Sequence, residues 1–271
     1  MNTHHEITPA EAGRSLLSVL GDLFPDVRST DLRELCEHQG VTRDGRQCGA
    51  GESVLTGERL EIESEAGLPR VPAKALKGFE VLRSEAELLV CLKPAGVSVE
   101  GDRFAEESAP LRGAVLHALK AEGREPLPRP RFVHRLDKDT SGVLLVALSH
   151  TATADLTAQL AGESEHRVRK TYLALVEGRL LEAEGLVDVP LLVNGGRRKA
   201  PVRADGEGKS ARTRFERIEV FGRHSWVRLW PETGRTHQLR VHMAHLGHPI
   251  VCDAHYGKSE PLLLSKLKRD Y

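Results

Sequence analysis

Residues 134–142 have the sequence HRLDKDTSG, and they lead directly into VLLVAL at 143–148, the longest clearly apolar run of the chain. The apolar run predicts a buried β-strand. The residues before it predict a loop crowded with ionisable and small polar side chains. Such a loop adds little to the stability of a fold, but it can hold a reactive carboxylate, and Asp137 is the candidate. Taken alone, these residues leave open the simpler interpretation that Asp137 makes a surface turn before Thr-Ser-Gly.

The segments around this stretch predict both strands and helices. Ser29 or Thr30 is placed to cap the second helix, Gly247 to end the last one, and Asp44-Gly45 to turn a hairpin. Strands are predicted at 60–63, 88–92, 172–176 and 225–230, and helices at 16–23, 31–38, 111–119 and 236–246. Because strands outnumber helices and do not strictly alternate with them, the predicted fold class is α+β. We expect a mostly antiparallel mixed sheet, preceded by a small α/β domain.

Charge divides the chain into an acidic and a basic part. The whole chain has 39 Lys and Arg against 39 Asp and Glu, but residues 1–67 hold 6 against 13, a formal net of −7, which leaves +7 for the rest. Residues 66–78 contain two prolines and two glycines, as a linker would. The predicted organisation is therefore a small domain at 1–67, a linker at 68–78 and a larger domain at 79–271.

Several protein classes are excluded. No apolar run approaches the roughly 20 residues that a bilayer requires, so no membrane span is expected, and no signal peptide is expected from the first residues. The four cysteines are scattered, which predicts free thiols and a cytoplasmic location. A kinase catalytic loop is rejected because Leu136 interrupts His-Arg-Asp and no Asp-Phe-Gly occurs.

Two clusters of residue types invite an interpretation as binding sites. Basic runs at 166–170, 197–199 and 211–217 predict a surface for a polyanion. Histidines are dense near the C-terminus, but their spacing diverges around a helix and does not match a zinc site, so no metal is predicted. The histidines concerned are His237, His242, His245, His248 and His255.

HRLDKDTSG resembles, throughout its length, the signature of the RluA-type pseudouridine synthases. Further blocks resemble the family in the family's order: KPAG at 93–96, KTYLALVEG at 170–178, and TGRTHQLRVH at 233–242, followed by GHPI at 247–250 and Asp253. Together they lie within residues 79–257. Residues 6–64 resemble the small RNA-binding domain of ribosomal-protein-S-four type.

The resemblance implies an enzyme that isomerises uridine to pseudouridine in folded RNA, without a cofactor and without a metal. It implies that Asp137 is the nucleophile, that Tyr172 stacks on the target base, and that Arg240 is the ion-pair partner of Asp137. Whether the carboxylate attacks the base or the ribose stays open. Arg135 matches a family position that helps to hold the flipped-out nucleotide. The other residues expected to bind RNA are His134, Thr140, Arg167, Lys170, Arg235 and His237.

Two alternatives of other classes remain. One is a catalytically silent RNA-binding protein, such as a ribosome-assembly factor, which an intact Asp137, Tyr172 and Arg240 disfavours. The other is a glycoside hydrolase, which needs a second carboxylate, and Asp139 is expected to point away from Asp137. The expected substrate is large-subunit ribosomal RNA, with transfer RNA as the alternative, and the enzyme is expected to be a monomer. Because residues 1–67 are acidic, we expect that they are not the main RNA anchor.

Overall fold

The computed structural model describes residues 3–38, 40–62, 71–99, 110–124, 130–192, 203–204, 208–258 and 262. The chain divides into two compact units, Met1–Ala158 and Gln159–Tyr271. The described residues contain helices and antiparallel sheets, which confirms the predicted α+β class. Within them, no helix combines the length and the apolar character needed to cross a bilayer.

The N-terminal part of the first unit is a four-stranded antiparallel sheet with two helices. Its elements are β1 (Thr3–Glu6), α1 (Leu16–Leu23), α2 (Ser29–Glu37), β2 (Val41–Arg43), β3 (Arg46–Gln47) and β4 (Arg59–Ile62). The strands lie in the order β1-β4-β2-β3. Buried residues of the helices and the sheet, among them Leu20, Leu32 and Leu60, form a hydrophobic core of their own. Such a core is what a domain at 1–67 requires, although the domain boundaries stay a prediction.

The start of α2 differs from the prediction. Neither Ser29 nor Thr30 is the N-cap, because α2 begins at Ser29 and the extended backbone of Arg28 precedes it. Asp31 in the first turn accepts hydrogen bonds from Nε and NH2 of Arg28, both at 2.7 Å. Its carboxylate also lies near the positive end of the helix dipole, so this helix start is stabilised without a hydroxyl cap.

A second four-stranded sheet completes the first unit. Its elements are β5 (Glu80–Ser84), β6 (Leu88–Lys93), α3 (Pro110–Ala121), β7 (Arg131–Phe132), β8 (Gly142–Ala147) and α4 (His150–Ala161), whose last turn belongs to the second unit. The strand order is β5-β6-β8-β7, and every pair is antiparallel. Val115 and Leu119 of α3 pack against Leu89 and Val146. In the register of β6 and β8, Lys93 lies opposite Gly142, which brings the KPAG block to the loop that holds Asp137.

The segment predicted as a linker makes specific contacts at Val71 and Lys74. Residues 63–70 lie outside the described residues. The side chain of Val71 is buried, and its N–H donates to the carbonyl of Asp26 at 2.5 Å. The N–H of Lys74 donates to the carbonyl of Gly113 in α3. Residues 71–74 therefore connect the turn between α1 and α2 to α3 through specific contacts.

The second unit is built on one four-stranded antiparallel sheet. Its elements are β9 (Tyr172–Glu177), β10 (Glu184–Asp188), β11 (Leu191–Leu192), β12 (Arg203–Ala204), β13 (Arg212–Phe221), β14 (His224–Pro231) and α5 (Gln238–His245). The sheet has the order β10-β13-β14-β9, and β11 pairs with β12. Met243 of α5 packs against Val176, Val227 and Leu229, so one face of the sheet is covered by α5. Gly247, with φ 81°, follows this helix as predicted.

Candidate active site

Asp137 lies half-buried in the loop between β7 and β8. The loop is closed by local bonds: the carbonyl of Asp137 accepts from the N–H of Thr140 at 3.1 Å, and Leu136 is buried beneath it. Nε2 of His134 accepts from the N–H of Leu145 in β8 at 3.0 Å, so that nitrogen carries no proton. His134 therefore fastens the loop to the strand that follows it.

Lys93 is a fully buried lysine at the end of β6. Its Nζ donates to three carbonyls, those of Pro94 at 2.9 Å, Val97 at 2.6 Å and Lys138 at 3.1 Å. Burial lowers the pKa of Lys93, and the negative charges of Asp139 and Asp137 oppose that shift. Because Lys138 directly follows Asp137, one buried cation ties the KPAG block to the candidate nucleophile's loop.

Lys93→Met is expected to lower the free energy of unfolding by about 2–3 kcal/mol. Methionine matches the length of lysine but donates no hydrogen bond, so three carbonyls lose their shared donor. Lys138→Met is the matched control, because it removes the same charge from an exposed side chain of the Asp137 loop. It should change the free energy of unfolding by less than about 0.5 kcal/mol. Chemical denaturation of the full chain measures both. Equal stabilities for the two variants would contradict a structural role for Lys93.

In the second unit, Arg240 and Asp253 form a bidentate ion pair. Nε of Arg240 donates to Oδ2 at 2.6 Å and NH2 donates to Oδ1 at 2.8 Å. The Asp253 side chain is only 4% exposed, and it also accepts from the N–H groups of His255 and Tyr256 at 2.9 and 3.2 Å. Burial raises the pKa of this carboxyl, but the hydrogen bonds outweigh it and leave the pKa below its ordinary value. The pair fixes the orientation of the guanidinium.

His237 and Arg240 meet at Tyr256. The sequence places the two on one helix face, but His237 precedes α5 with φ 57°, in the left-handed region. Its Nδ1 lies 2.9 Å from the hydroxyl of Tyr256, and the guanidinium carbon of Arg240 lies 5.0 Å from the centre of the Tyr256 ring. Tyr256 therefore contacts both residues.

Gln238 fixes the turn that carries Arg235. This buried side chain accepts from the hydroxyl of Thr233 at 2.7 Å and from the N–H of Arg235 at 3.0 Å. Its Nε2 donates to the carbonyl of Arg212 and the hydroxyl of Thr213 in β13, at 2.9 and 3.0 Å. The turn is thus anchored to the sheet while Arg235 stays exposed.

The C-terminal histidines support the backbone. His242 is fully buried between the Thr213 hydroxyl at 2.9 Å and the carbonyl of Val189 at 3.0 Å, and burial lowers its pKa. Nδ1 of His248 donates to the carbonyl of Glu177 at 2.8 Å. In the part of the chain that the structure describes, no three His, Cys, Asp or Glu side chains are grouped as metal ligands would be.

The basic run at 211–217 forms much of β13, and its arginines are engaged with protein groups. Arg212 lies 3.1 Å from a carboxylate oxygen of Asp188, and Arg214 lies 2.6 Å from one of Glu232. Arg217 donates to two backbone carbonyls. These arginines therefore have partners within the protein, while Arg212 and Arg214 keep 41% and 64% of their side chains exposed. The polyanion surface at 211–217 stays a prediction. The run at 197–199 lies outside the described residues.

The other predicted residues fall in both units. Arg135 is exposed and Thr140 half-buried in the Asp137 loop, and Arg167 is exposed after α4. Tyr172 begins β9, paired with Leu229 and packed against the core under α5. The Nζ of Lys170 lies next to Gly234, 3.9 Å from the position that a Cβ atom would occupy there. No role was predicted for Lys93, Gln238, Asp253 or Tyr256, although each lies in or next to a block that resembles the family.

Comparisons with known proteins show the family to which the chain belongs. The sequence profile of the family described as RNA pseudouridylate synthase matches residues 87–245, which include Asp137, Tyr172 and Arg240. The ribosomal large subunit pseudouridine synthase D of Xanthomonas campestris is 35% identical over 256 residues, covering 93% of this chain and 73% of the relative. The ribosomal large subunit pseudouridine synthase C of Yersinia pestis is 40% identical over 213 residues, covering 76% and 61%. The structure of human RNA pseudouridylate synthase domain containing 1 has a TM-score of 0.55 and 29% identity, covering 68% of this chain and 72% of the other.

Fold, profile and relatives together define the class as an isomerase that acts on RNA. The chain belongs to the RNA pseudouridylate synthase family, and it converts uridine to pseudouridine in RNA. The RluA-type resemblance found in HRLDKDTSG is thereby confirmed, as is the predicted enzyme activity.

Proposed function

We propose that this enzyme modifies specific uridines of large-subunit ribosomal RNA, with Asp137 as the nucleophile. The observation that carries the assignment is the support of the Asp137 loop from two sides, by the buried Lys93 and by His134. The loop is thereby fixed while the carboxylate stays partly accessible. A fixed, accessible carboxylate is what covalent catalysis requires.

The net reaction balances without an external reagent. The bond between N1 of uracil and C1′ of ribose breaks, a bond between C5 and C1′ forms, one proton leaves C5 and one is taken up at N1. No electrons are exchanged with another molecule, which agrees with the prediction of no cofactor. Addition of Asp137 to the base or to the ribose would equally be reversed at the end of the cycle.

Tyr172 and Arg240 complete the proposed machinery. Tyr172 is half-buried at the start of a strand, so its ring is held firmly enough to stack on a displaced base. Arg240 is proposed to be the ion-pair partner of Asp137, and its bonds to Asp253 support this role by fixing the guanidinium. Arg135, His134, Thr140, Arg167, Lys170, Arg235 and His237 are proposed to contact RNA or to shape the surface that does.

Ribosomal RNA is favoured because the relatives from Xanthomonas campestris and Yersinia pestis carry that substrate in their names. The test is to map pseudouridines in total RNA from cells with and without this gene. We expect one or more positions of large-subunit RNA to lose the modification and to regain it with the wild-type gene. Loss confined to transfer RNA would replace the proposed substrate. An unchanged map would favour the silent RNA-binding protein.

We also propose that the main RNA anchor lies outside residues 1–67. Four arginines at the second helix and the hairpin could form a basic face there: Arg28, Arg33, Arg43 and Arg46. Arg28 pairs with Asp31 at 2.7 Å, and Arg43 pairs with Glu52 at 2.8 Å. The remaining two, Arg33 and Arg46, have exposed side chains. Ion pairing within the domain thus reduces the positive charge available to phosphates. A cytoplasmic, monomeric enzyme remains our prediction.

Replacing Arg33 and Arg46 together by alanine should leave RNA affinity within about threefold of wild type. Replacing Lys170 and Arg235 together, with the same loss of charge, should weaken binding by about tenfold or more and lower the salt dependence by about one to two phosphate contacts. Filter binding of a large-subunit ribosomal RNA transcript at several salt concentrations measures both. The reverse order of effects would place the anchor in the N-terminal region.

A further inference from the structure

Asp22, near the end of α1, gathers cationic groups from distant parts of the chain. Its carboxylate pairs with Arg14, with NH2 of Arg131 at 3.5 Å, and with Nε2 of His150 at 2.8 Å. The hydroxyl of Ser18, one turn earlier on α1, accepts from Arg14 at 3.0 Å and from Arg131 at 3.1 Å. We call these five residues the Asp22 cluster. The Asp22 side chain is 14% exposed, so its interactions are partly shielded from water.

The cluster sits at the open end of the hairpin that carries Asp137. Arg131 begins β7 and lies opposite Ala147, the last residue of β8. His150 begins α4, three residues after Ala147. Asp22 therefore contacts the first residue of β7 and the first residue of the helix that follows β8. Asp137 lies in the loop at the opposite end of this hairpin.

β7 needs such support because it is a two-residue strand at the edge of its sheet. An edge strand of that length has few ladder hydrogen bonds to hold it in register. Burial lowers the pKa of Arg131, the charge of Asp22 opposes that shift, and the charge of Arg14 adds to it. Without the carboxylate, two neighbouring guanidinium groups would repel each other at the start of β7.

We propose that Asp22 is a positioning residue for catalysis, which fixes the β7–β8 hairpin through Arg131 and His150 and so places the loop of Asp137. The N-terminal region then contributes to the reaction by docking on the hairpin, and this contribution does not require contact with RNA. The inference rests on the assignment of Asp137 proposed above.

Asp22→Asn preserves the shape of the side chain and removes its charge. We expect the single-turnover rate on saturating large-subunit ribosomal RNA transcript to fall about tenfold, because small displacements of a catalytic group are costly. The dissociation constant for RNA should stay within about twofold. In the free protein, hydrogen exchange of the amides at 142–147 should accelerate by about tenfold or more. Glu61→Gln, the same charge change at an exposed position of β4, should alter none of these quantities.

His150→Gln provides a milder second variant, with about a threefold loss of rate, if Asp22→Asn folds poorly. Adding Asp22→Asn to a variant that carries both Arg131→Met and His150→Gln should cause little further loss, because Asp22 acts on the hairpin through these two residues. Weaker RNA binding at an unchanged rate would overturn the inference, as would unchanged exchange at 142–147. An active Asp137→Asn variant would show that the assignment of Asp137 is wrong. The exchange measurement needs no substrate, so it tests the positioning role of Asp22 separately.

Discussion

Asp137→Asn is expected to lower the single-turnover rate of pseudouridine formation by at least about a thousandfold, some 4 kcal/mol of barrier, while the chain stays folded. Asparagine has nearly the shape of aspartate but lacks the nucleophilic carboxylate. The bonds that fix the loop should survive, because Thr140 and Lys93 bond to backbone carbonyls there. The measurement is single-turnover conversion of the substrate RNA, with thermal unfolding as a check of folding.

Asp139→Asn is the matched control, two residues further along the same loop and exposed. Its rate should stay within about threefold of wild type. A large loss in both variants would show that the negative charge of the loop, and not the Asp137 carboxylate alone, supports the reaction. Activity of Asp137→Asn within about tenfold of wild type would remove Asp137 from the role of nucleophile.

Arg240→Ala is expected to reduce the rate by about a hundredfold or more and RNA affinity by less than about threefold. It should also cost about 3 kcal/mol of stability, because the Asp253 carboxylate stays buried without the bidentate partner. Single-turnover rates, RNA binding and chemical denaturation measure the three effects.

Adding Asp253→Ala to Arg240→Ala separates the two roles of the arginine. The double variant removes the unpaired charge and should regain part of the stability, but not the activity. A lower salt dependence of binding with turnover spared would make Arg240 a phosphate contact instead.

The ion pair also predicts a pH dependence of stability. The pKa of Asp253 is lower in the folded chain than its ordinary value, so the folded state binds fewer protons at this group. Its contribution to stability is present above the ordinary pKa and is lost as the pH falls through the folded-state pKa. Asp253→Asn should therefore flatten the acid side of the stability profile.

The spacing of apolar residues predicted those helices and strands whose buried faces are regular. Residues 143–148 and the helix at 16–23 agree with β8 and α1 within one residue. Helix α4 was missed because its sequence, HTATADLTAQLA, has no apolar stripe, and only Leu156 is buried. Residues 211–217 were predicted to form a basic surface because composition shows charge, and only the folded sheet shows that Arg214 also pairs with Glu232.

The candidate site was predicted where the motif itself carries the chemistry, as at Asp137. The role of Lys93 depends on its bond to the carbonyl of Lys138, 45 residues later in the chain. The role of Asp253 depends on its bond to Arg240, 13 residues earlier. Neither partner can be identified from local spacing, because packing of separate elements creates both contacts. The same holds for Asp22, which contacts Arg131 across 109 residues.

The packing at Val71 has a consequence for how this protein can be recombined with its relatives. A region that meets its neighbour through a buried valine, a hydrogen bond to the Asp26 carbonyl and the Asp22 carboxylate is not a freely exchangeable module. A chimera that joins a foreign N-terminal domain to residues 79–271 loses all three contacts at once. Functional chimeras should therefore carry the native residues 1–78 together with β7 and α4, or replace both sides of the junction as a set.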